Sequence, residues 1–291
     1  MAVAVPWTGY RGQRLCLASQ HQKERALARP FEAGLGVVMD VAGDLETNAF
    51  GSFSGERPRL DTAQRTCRLK AEAGLALSGH PLGLASEGSF GPHPAIPFLA
   101  IGIECLTFID SERGLVIQES GISERTNFNQ IQTRPDDRID AWLERVGFPA
   151  HGLMVRPHRT GTERASAVAL GLQCRHGLDQ AIRQAVSRSE DGTVVVETDM
   201  RAHVNPTRMR EIRRLGLQLV RRLRTTCPAC HSPGWGLIER LPGLPCGWCG
   251  QPTERIAQEM FGCVACDHRQ VRPRADGLQA ADPGHCQFCN P

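Results

Sequence analysis

"LGLASEGSFGPHPAIPF", residues 82–98, opens as a buried strand and changes character within four residues. Leu82-Gly83-Leu84-Ala85 is apolar on both faces, which suits a strand covered on two sides by other elements. Ser86-Glu87-Gly88-Ser89 is polar and flexible, and Gly91-Pro92-His93-Pro94 fits neither a helix nor a central strand. Glu87 is therefore expected at the carboxyl end of a core strand, the edge where open α/β sheets hold their ligands. Residues that precede proline are biased to extended backbone, so Pro92, Pro94 and Pro97 predict a stiff wall beyond that edge.

The same alternation of short β-rich runs with helical stretches extends in both directions. Arg14–Ala18 reads as a strand, about 22–33 as a helix, Gly36–Asp40 as a strand and Asp61–Leu77 as a helix capped by Asp61 or Thr62. Strands are expected at Glu104–Asp110 and Gly114–Glu119, joined by a turn at Ser111-Glu-Arg-Gly114. A helix near Arg138–Val146, a strand at Gly152–Val155, a helix near Leu178–Ser187 and a strand at Thr193–Glu197 follow. Arg156–Arg175 reads as a loop. The fold class is α/β, a mixed sheet flanked by helices, over residues 1–225, with a small zinc-binding module over 226–291.

Asn205-Pro206 opens the clearest helix, about 206–225, since asparagine suits an N-cap and proline the first turn. Met209, Ile212, Gly216, Leu219 and Leu223 form its inward stripe. Between Arg201 and Thr226 eight arginines meet one acid, Glu211. A solvated helix face and a phosphate-binding face are the competing readings, and the second makes nucleic acid a candidate partner.

Bulk properties narrow the classes. A net charge of +3 does not by itself imply a polyanionic partner. No apolar run approaches the roughly 18 residues of a membrane helix, so no membrane partner is expected. Residues 1–10 lack a basic region and a long apolar core, so a cytoplasmic location is the default expectation. Lysine occurs only at Lys23 and Lys70, which sets these two ammonium groups apart from the arginines.

Eight of the twelve cysteines fall in four CxxC pairs: Cys227/Cys230, Cys246/Cys249, Cys263/Cys266 and Cys286/Cys289. A CxxC turn aims two thiolates at one metal, and two turns close a tetrahedron of the kind zinc accepts. The 15 and 19 residues between successive pairs fit the C-x2-C-x15–20-C-x2-C zinc spacing. Two structural zinc ions in sequential sites are expected, first pair with second and third with fourth. Cross-braced and nested pairings stay open, and iron–sulfur ligation is a minor alternative. The segment from Cys227 onward has five arginines and six acids, so nucleic-acid affinity would have to come from the preceding helix.

Three segments suggest phosphate chemistry. Ser19-Gln-His-Gln-Lys23 leads from a strand into a helix, where backbone amides and a lysine can hold phosphate. Ser54 lies in a small-residue loop, followed by a helix bearing Arg68 and Lys70. Glu87, with Gly88 and Ser89 beside it, could hold Mg2+ through phosphate oxygens or activate water. Glu197 and Asp199 share one side of a strand, and Arg201, Asn205 and Arg208 follow closely. That set reads either as a second acidic wall of a metal–phosphate site or as a salt-bridged helix cap.

The run "ASEGSFGPHPAIPF", the run "VETDMRAHVNPTRM" and the four CxxC pairs together resemble a bacterial domain-of-unknown-function family that joins an α/β domain to a cysteine-rich tail. That resemblance covers nearly the whole chain and implies an architecture without an activity. More distantly, the first 120 or so residues resemble inosine/xanthosine triphosphate pyrophosphatases. Ser19-Gln20 and Lys23 stand for the phosphate loop, Ser54-Gly55 with Arg65 and Arg68 for the next segment, and Glu87-Gly88 for the strand end. Gln20 replaces the usual asparagine, and the proline-rich continuation departs from the pattern. The first expectation is a Mg2+-dependent phosphohydrolase acting on a nucleotide or related phosphate ester. The second is a non-enzymatic zinc-ribbon protein that binds nucleic acid or acts as an adaptor.

Overall fold

The computed structural model describes residues 9–43, 45, 61–161 and 164–290. The chain divides into two compact units, Tyr10–Leu219 and one that holds Val220–Pro291. Among the described residues no helix is long and apolar enough to cross a membrane.

In the first unit β1 (Arg14–Ala18), β2 (Val38–Val41), β3 (Leu82–His93), β4 (Ile96–Asp110) and β5 (Leu115–Ser123) form a sheet of order β2-β1-β3-β4-β5. β1 lies parallel to both β2 and β3, whereas β3, β4 and β5 are an antiparallel meander. α1 (Glu24–Leu35) connects β1 to β2, and α2 (Ala63–Ser78) crosses from β2 to β3. Leu82, Leu84 and Ala85 have no exposed surface, as their two-sided apolar pattern requires. Cys67 and Ala71 of α2 pack on Ala18, Ala85 and Cys105, which identifies the α2 face of the sheet.

The opposite face is covered by helices that come close together. A methyl group on Gly216 would fall 2.7 Å from Leu27 Cδ2, so α5 (Pro206–Leu223) rides on α1. Asn205 caps α5 as its position predicts, its Oδ1 accepting from the Arg208 amide at 3.0 Å. Arg208, Ile212, Leu215, Leu219 and Leu223 face inward along the helix.

A second sheet, order β6-β9-β7-β8, is wholly antiparallel. Its strands are β6 (Gln130–Thr133), β7 (Leu153–Pro157), β8 (Ala169–Leu172) and β9 (Val194–Thr198). α3 (Asp140–Arg145) and α4 (Arg175–Val186) cover it, with Trp142, Leu178 and Ile182 in the shared core. The expected mixed sheet flanked by helices is present, and a second, wholly antiparallel sheet accompanies it. β8 lies inside the stretch read as a loop, because four half-buried residues carry too little pattern to declare a strand.

The proline-rich wall is likewise a correction. β3 continues through Pro92 to His93, and the chain reverses at Pro94-Ala95 into β4. Proline is tolerated there because β3 has lost β1 as a neighbour beyond Ala85, leaving its outer side without a ladder.

In the second unit β10 (Gly236–Pro242), β11 (Ile256–Gly262) and β12 (Arg269–Pro273) form a three-stranded antiparallel sheet.

Candidate functional site

β1 stops at Ala18, opposite Ala85, and β3 runs on. Ser86, Glu87 and Gly88 consequently lie past the carboxyl end of β1. From β1 the chain leaves toward β2, and from β3 it leaves toward β4 on the other side. In α/β sheets such a divergence marks the usual position of a ligand crevice.

Side chains from both faces of the sheet converge on this strand end. Lys23, at the N-cap of α1, reaches back so that Nζ donates to the Ser86 carbonyl at 2.6 Å. On the α2 face Lys70 Nζ donates to Glu87 Oε2 at 2.5 Å. On the other face Arg208 Nε donates to Glu104 Oε1 at 2.5 Å, and Nη1 donates to the Met200 carbonyl at 2.5 Å. Glu104 stands directly opposite Gly88 in the β3–β4 ladder. All five charged side chains belong to residues no more than 7% exposed, so water screens their interactions little.

Gly88 is what lets the arginine through. A Cβ there would sit 2.5 Å from Arg208 Nη2 and 2.7 Å from Glu104 Oε1. Gly88→Ala is therefore expected to push Arg208 off Glu104 and destabilise the unit by about 2–3 kcal/mol. Gly91→Ala is the control, since nothing lies within 4 Å of its Cβ position. Urea denaturation midpoints of the two variants check the difference.

Three cations, Lys23, Lys70 and Arg208, face two carboxylates, Glu87 and Glu104, among the described residues. Burial, followed by repulsion from Arg208, holds the Lys23 ammonium down at about 8. His21 is pushed to about 3 by burial and then by Lys23 and Arg208, so it is a neutral imidazole near pH 7. It stacks on His203 with ring centroids 5.3 Å apart. Ser86 Oγ is buried and has no hydrogen-bond partner among the described residues. A buried hydroxyl without a partner costs free energy, and a bound acceptor or donor in the crevice would relieve it.

Of the residues expected at a phosphate site, Lys23, Lys70, Glu87, Gly88 and Arg208 are thus brought together. Ser19 closes the end of β1, its Oγ accepting from the His21 amide at 3.4 Å, and Ser89 follows on the α2 side of β3. Arg68 points to solvent and pairs with Glu72 at 2.7 Å. Ser54 lies outside the described residues. Glu197 and Asp199 do not form an open acidic wall. Glu197 is gripped by Arg156 at 2.7 Å and by Arg164, while Asp199 accepts from Arg201 at 2.6 Å and from the Gly171 amide at 2.9 Å. Asn205 serves as the helix cap. The sequence shows Glu104 only as the start of a strand and Ser86 only as part of the polar stretch around Glu87. Only the β3–β4 register, which sets Glu104 against Gly88, gives Glu104 its place.

The cysteines gather into two groups of four, and the sequential pairing is overturned. Cys227, Cys230, Cys263 and Cys266 form one group, and Cys246, Cys249, Cys286 and Cys289 the other. The sheet register dictates this cross-brace. Gly236 pairs with Gly262, so the chain just before β10 meets the chain just after β11, and first and third CxxC turns adjoin. The second turn lies in the β10–β11 connection at the opposite end, and β12 carries the chain back toward it.

Sulfur separations are 3.8 Å for Cys227–Cys266 and Cys246–Cys289, and 3.6 Å for Cys230–Cys263 and Cys249–Cys286. A tetrahedron with metal–sulfur bonds of about 2.3 Å has edges of roughly 3.8 Å, so both groups fit a metal ion such as zinc. Backbone amides of Ala229, Trp248 and Ala265 point at the first sulfur of their turns at 3.3–3.4 Å, as a knuckle requires. Among the described residues these two are the groups of His, Cys, Asp or Glu able to hold a metal.

No curated protein matches the chain, and no solved structure does. The resemblance to inosine/xanthosine triphosphate pyrophosphatases accordingly receives no support from relatives. Residues 70–291, about three quarters of the chain, match the family described as "Domain of unknown function (DUF6671)". That span begins at Lys70 and takes in Glu87, Glu104, Arg208 and both cysteine groups, and the chain belongs to the DUF6671 family.

Proposed function

We propose that the α/β unit is a phosphohydrolase that takes a nucleotide or a related phosphate ester in the β1/β3 crevice. The observation that carries this reading is the excess, among the described residues, of one buried cation around Lys23, beside a Ser86 hydroxyl that has no hydrogen-bond partner among them. An anion with hydrogen-bonding oxygens satisfies both at once, and phosphate is such an anion. Lys23 then holds a phosphate oxygen in place of, or beside, the Ser86 carbonyl. Lys70 fixes the Glu87 carboxylate, which orients the attacking water. The water oxygen bonds to phosphorus, the ester P–O bond breaks, and the water proton passes through Glu87 to the solvent. Lys23, with its lowered pKa, is suited to give the leaving oxygen its proton.

Mg2+ has no protein-built cage here among the described residues, where Glu87 stands without two further metal-ligating groups. No step above runs through it, and a magnesium ion would enter already bound to the substrate's phosphates. In the second unit each cysteine group takes one zinc ion. Four thiolates leave no open coordination position, so both ions are structural.

A panel of standard and noncanonical nucleoside triphosphates, assayed for phosphate or pyrophosphate release with and without Mg2+, tests the reading. Turnover of at least one member is expected, with a loss of at least ~100-fold in kcat for Glu87→Gln at unchanged zinc content. Absence of turnover, combined with no measurable binding of any member, would sink it.

A further inference from the structure

We propose that the exposed face of α5 is a sequence-independent docking surface for the phosphate backbone of duplex nucleic acid. Arg210, Arg213, Arg214, Arg221 and Arg224 are all exposed, on the face opposite the stripe from Arg208 to Leu223 that packs inward. The one acid of the helix, Glu211, is drawn down against Arg214 at 3.0 Å, with its side chain only 12% exposed. Among the described residues Arg213, Arg221 and Arg224 form no ion pair.

Among the described residues the other helices carry arginines of both kinds: Arg25, Arg29, Arg145 and Arg183 are exposed and form no ion pair, whereas others are matched by an acid one turn away. Arg65 pairs with Asp61 and Arg68 with Glu72, each at 2.7 Å, and Arg175 pairs with Asp179 at 2.9 Å, every one within a single helical turn. A solvated helix face gains stability from such i,i+4 pairs and loses it from like charges on one side. What sets α5 apart is concentration: Arg213, Arg221 and Arg224, without an ion pair among the described residues, share one face with Arg210 and Arg214. A preference for arginine over lysine across the chain would not remove the acids, so the bare cationic face calls for an anionic partner.

Several features select the partner. From Arg210 to Arg221 the helix rises about 16 Å, with Arg224 just past its end, a row of charge matched to an extended polyanion rather than to one small anion. Planar guanidinium groups suit phosphate oxygens. An anionic membrane fits less well, because the apolar stripe of α5 is already buried and only Leu217 is an exposed large apolar residue on the helix. A single strand would call for aromatic stacking platforms, and the helix carries none.

Fluorescence anisotropy of the intact, zinc-loaded protein with a labelled duplex of arbitrary sequence, across a salt series, tests the assignment. Each neutralised phosphate contributes about −0.9 to the slope of log K against log salt. The wild-type slope is expected near about −4, falling in size by about 3 in the triple Arg213/Arg221/Arg224→Gln variant, with at least ~10-fold weaker binding at low salt. The matching Arg→Lys triple should keep the wild-type slope, which separates lost charge from a damaged helix. Salt-insensitive binding, an unchanged Gln triple, tighter binding of a matching single strand, or binding only to phosphatidylserine vesicles would each overturn the proposal.

Discussion

Replacing Cys230 and Cys246 together by serine is expected to empty both metal sites, whereas replacing Cys230 and Cys263 together should leave one zinc per chain. Under the cross-brace the first pair of substitutions damages each group once, and the second damages a single group twice. Sequential sites would give the opposite result for both variants. Because a structural zinc site of this kind carries about 10 kcal/mol or more of folding free energy, the Cys230/Cys246 variant should also lose the ordered second unit. The Cys230/Cys263 variant should keep the half built around Cys246 and Cys286. Zinc content after exhaustive dialysis, about two per chain for the wild type, reads the outcome directly. One zinc in the Cys230/Cys246 protein would restore the sequential pairing, and iron in the wild type would remove zinc from the account.

Lys23→Met is expected to make the protein more stable and to abolish phosphate-ester turnover. In the folded unit Lys23 titrates at about 8, against an ordinary 10.5. Below pH 8 the lysine is charged in both states, and the native state bears the full penalty of burying it. Between about 8 and 10.5 the unfolded chain binds more protons than the native one, so the penalty fades and stability rises with pH. A depression of this size corresponds to roughly 3 kcal/mol at neutral pH, offset by about 1 kcal/mol for the Ser86 carbonyl that loses its donor. The variant should therefore gain a melting temperature several degrees higher at pH 7, and the gain should shrink toward pH 10. A less stable Lys23→Met protein at pH 7 would mean that the ammonium is satisfied as it stands, leaving no vacancy for an anion. A variant with wild-type turnover would move the phosphate elsewhere.

The sequence disclosed most of the scaffold because its signals are local. β1 covers the expected strand Arg14–Ala18, and α5 begins at Pro206, directly after Asn205. Glu87 could be placed at a sheet edge from the apolar run before it. What stayed hidden depends on register and on long-range topology. Glu104 becomes a site residue only because a fifteen-residue strand sets it against Gly88, 16 positions away. The acidic character of Glu197 and Asp199 gave no hint of Arg156 and Arg164, which come from another strand and a connecting segment.

The cysteine pairing was misread for a thermodynamic reason. Spacing favours the shorter loop, yet the chain-entropy difference per doubling of loop length is only about 0.6 kcal/mol. The cross-braced contacts span 33 and 37 positions, about twice the sequential distances. Six register pairs between β10 and β11 and five between β11 and β12 can outweigh so small a preference.

The interleaving of the two cysteine groups has a consequence for the growing chain on the ribosome. The first group is complete once Cys266 has emerged, but by then Cys246 and Cys249 have also emerged and wait for Cys286 and Cys289. During that interval four early thiolates, two from each final group, can be captured by one ion in the wrong combination. Release from that trap requires ligand exchange, which the β10–β11 register favours once Gly262 is free, because it sets the first and third turns side by side.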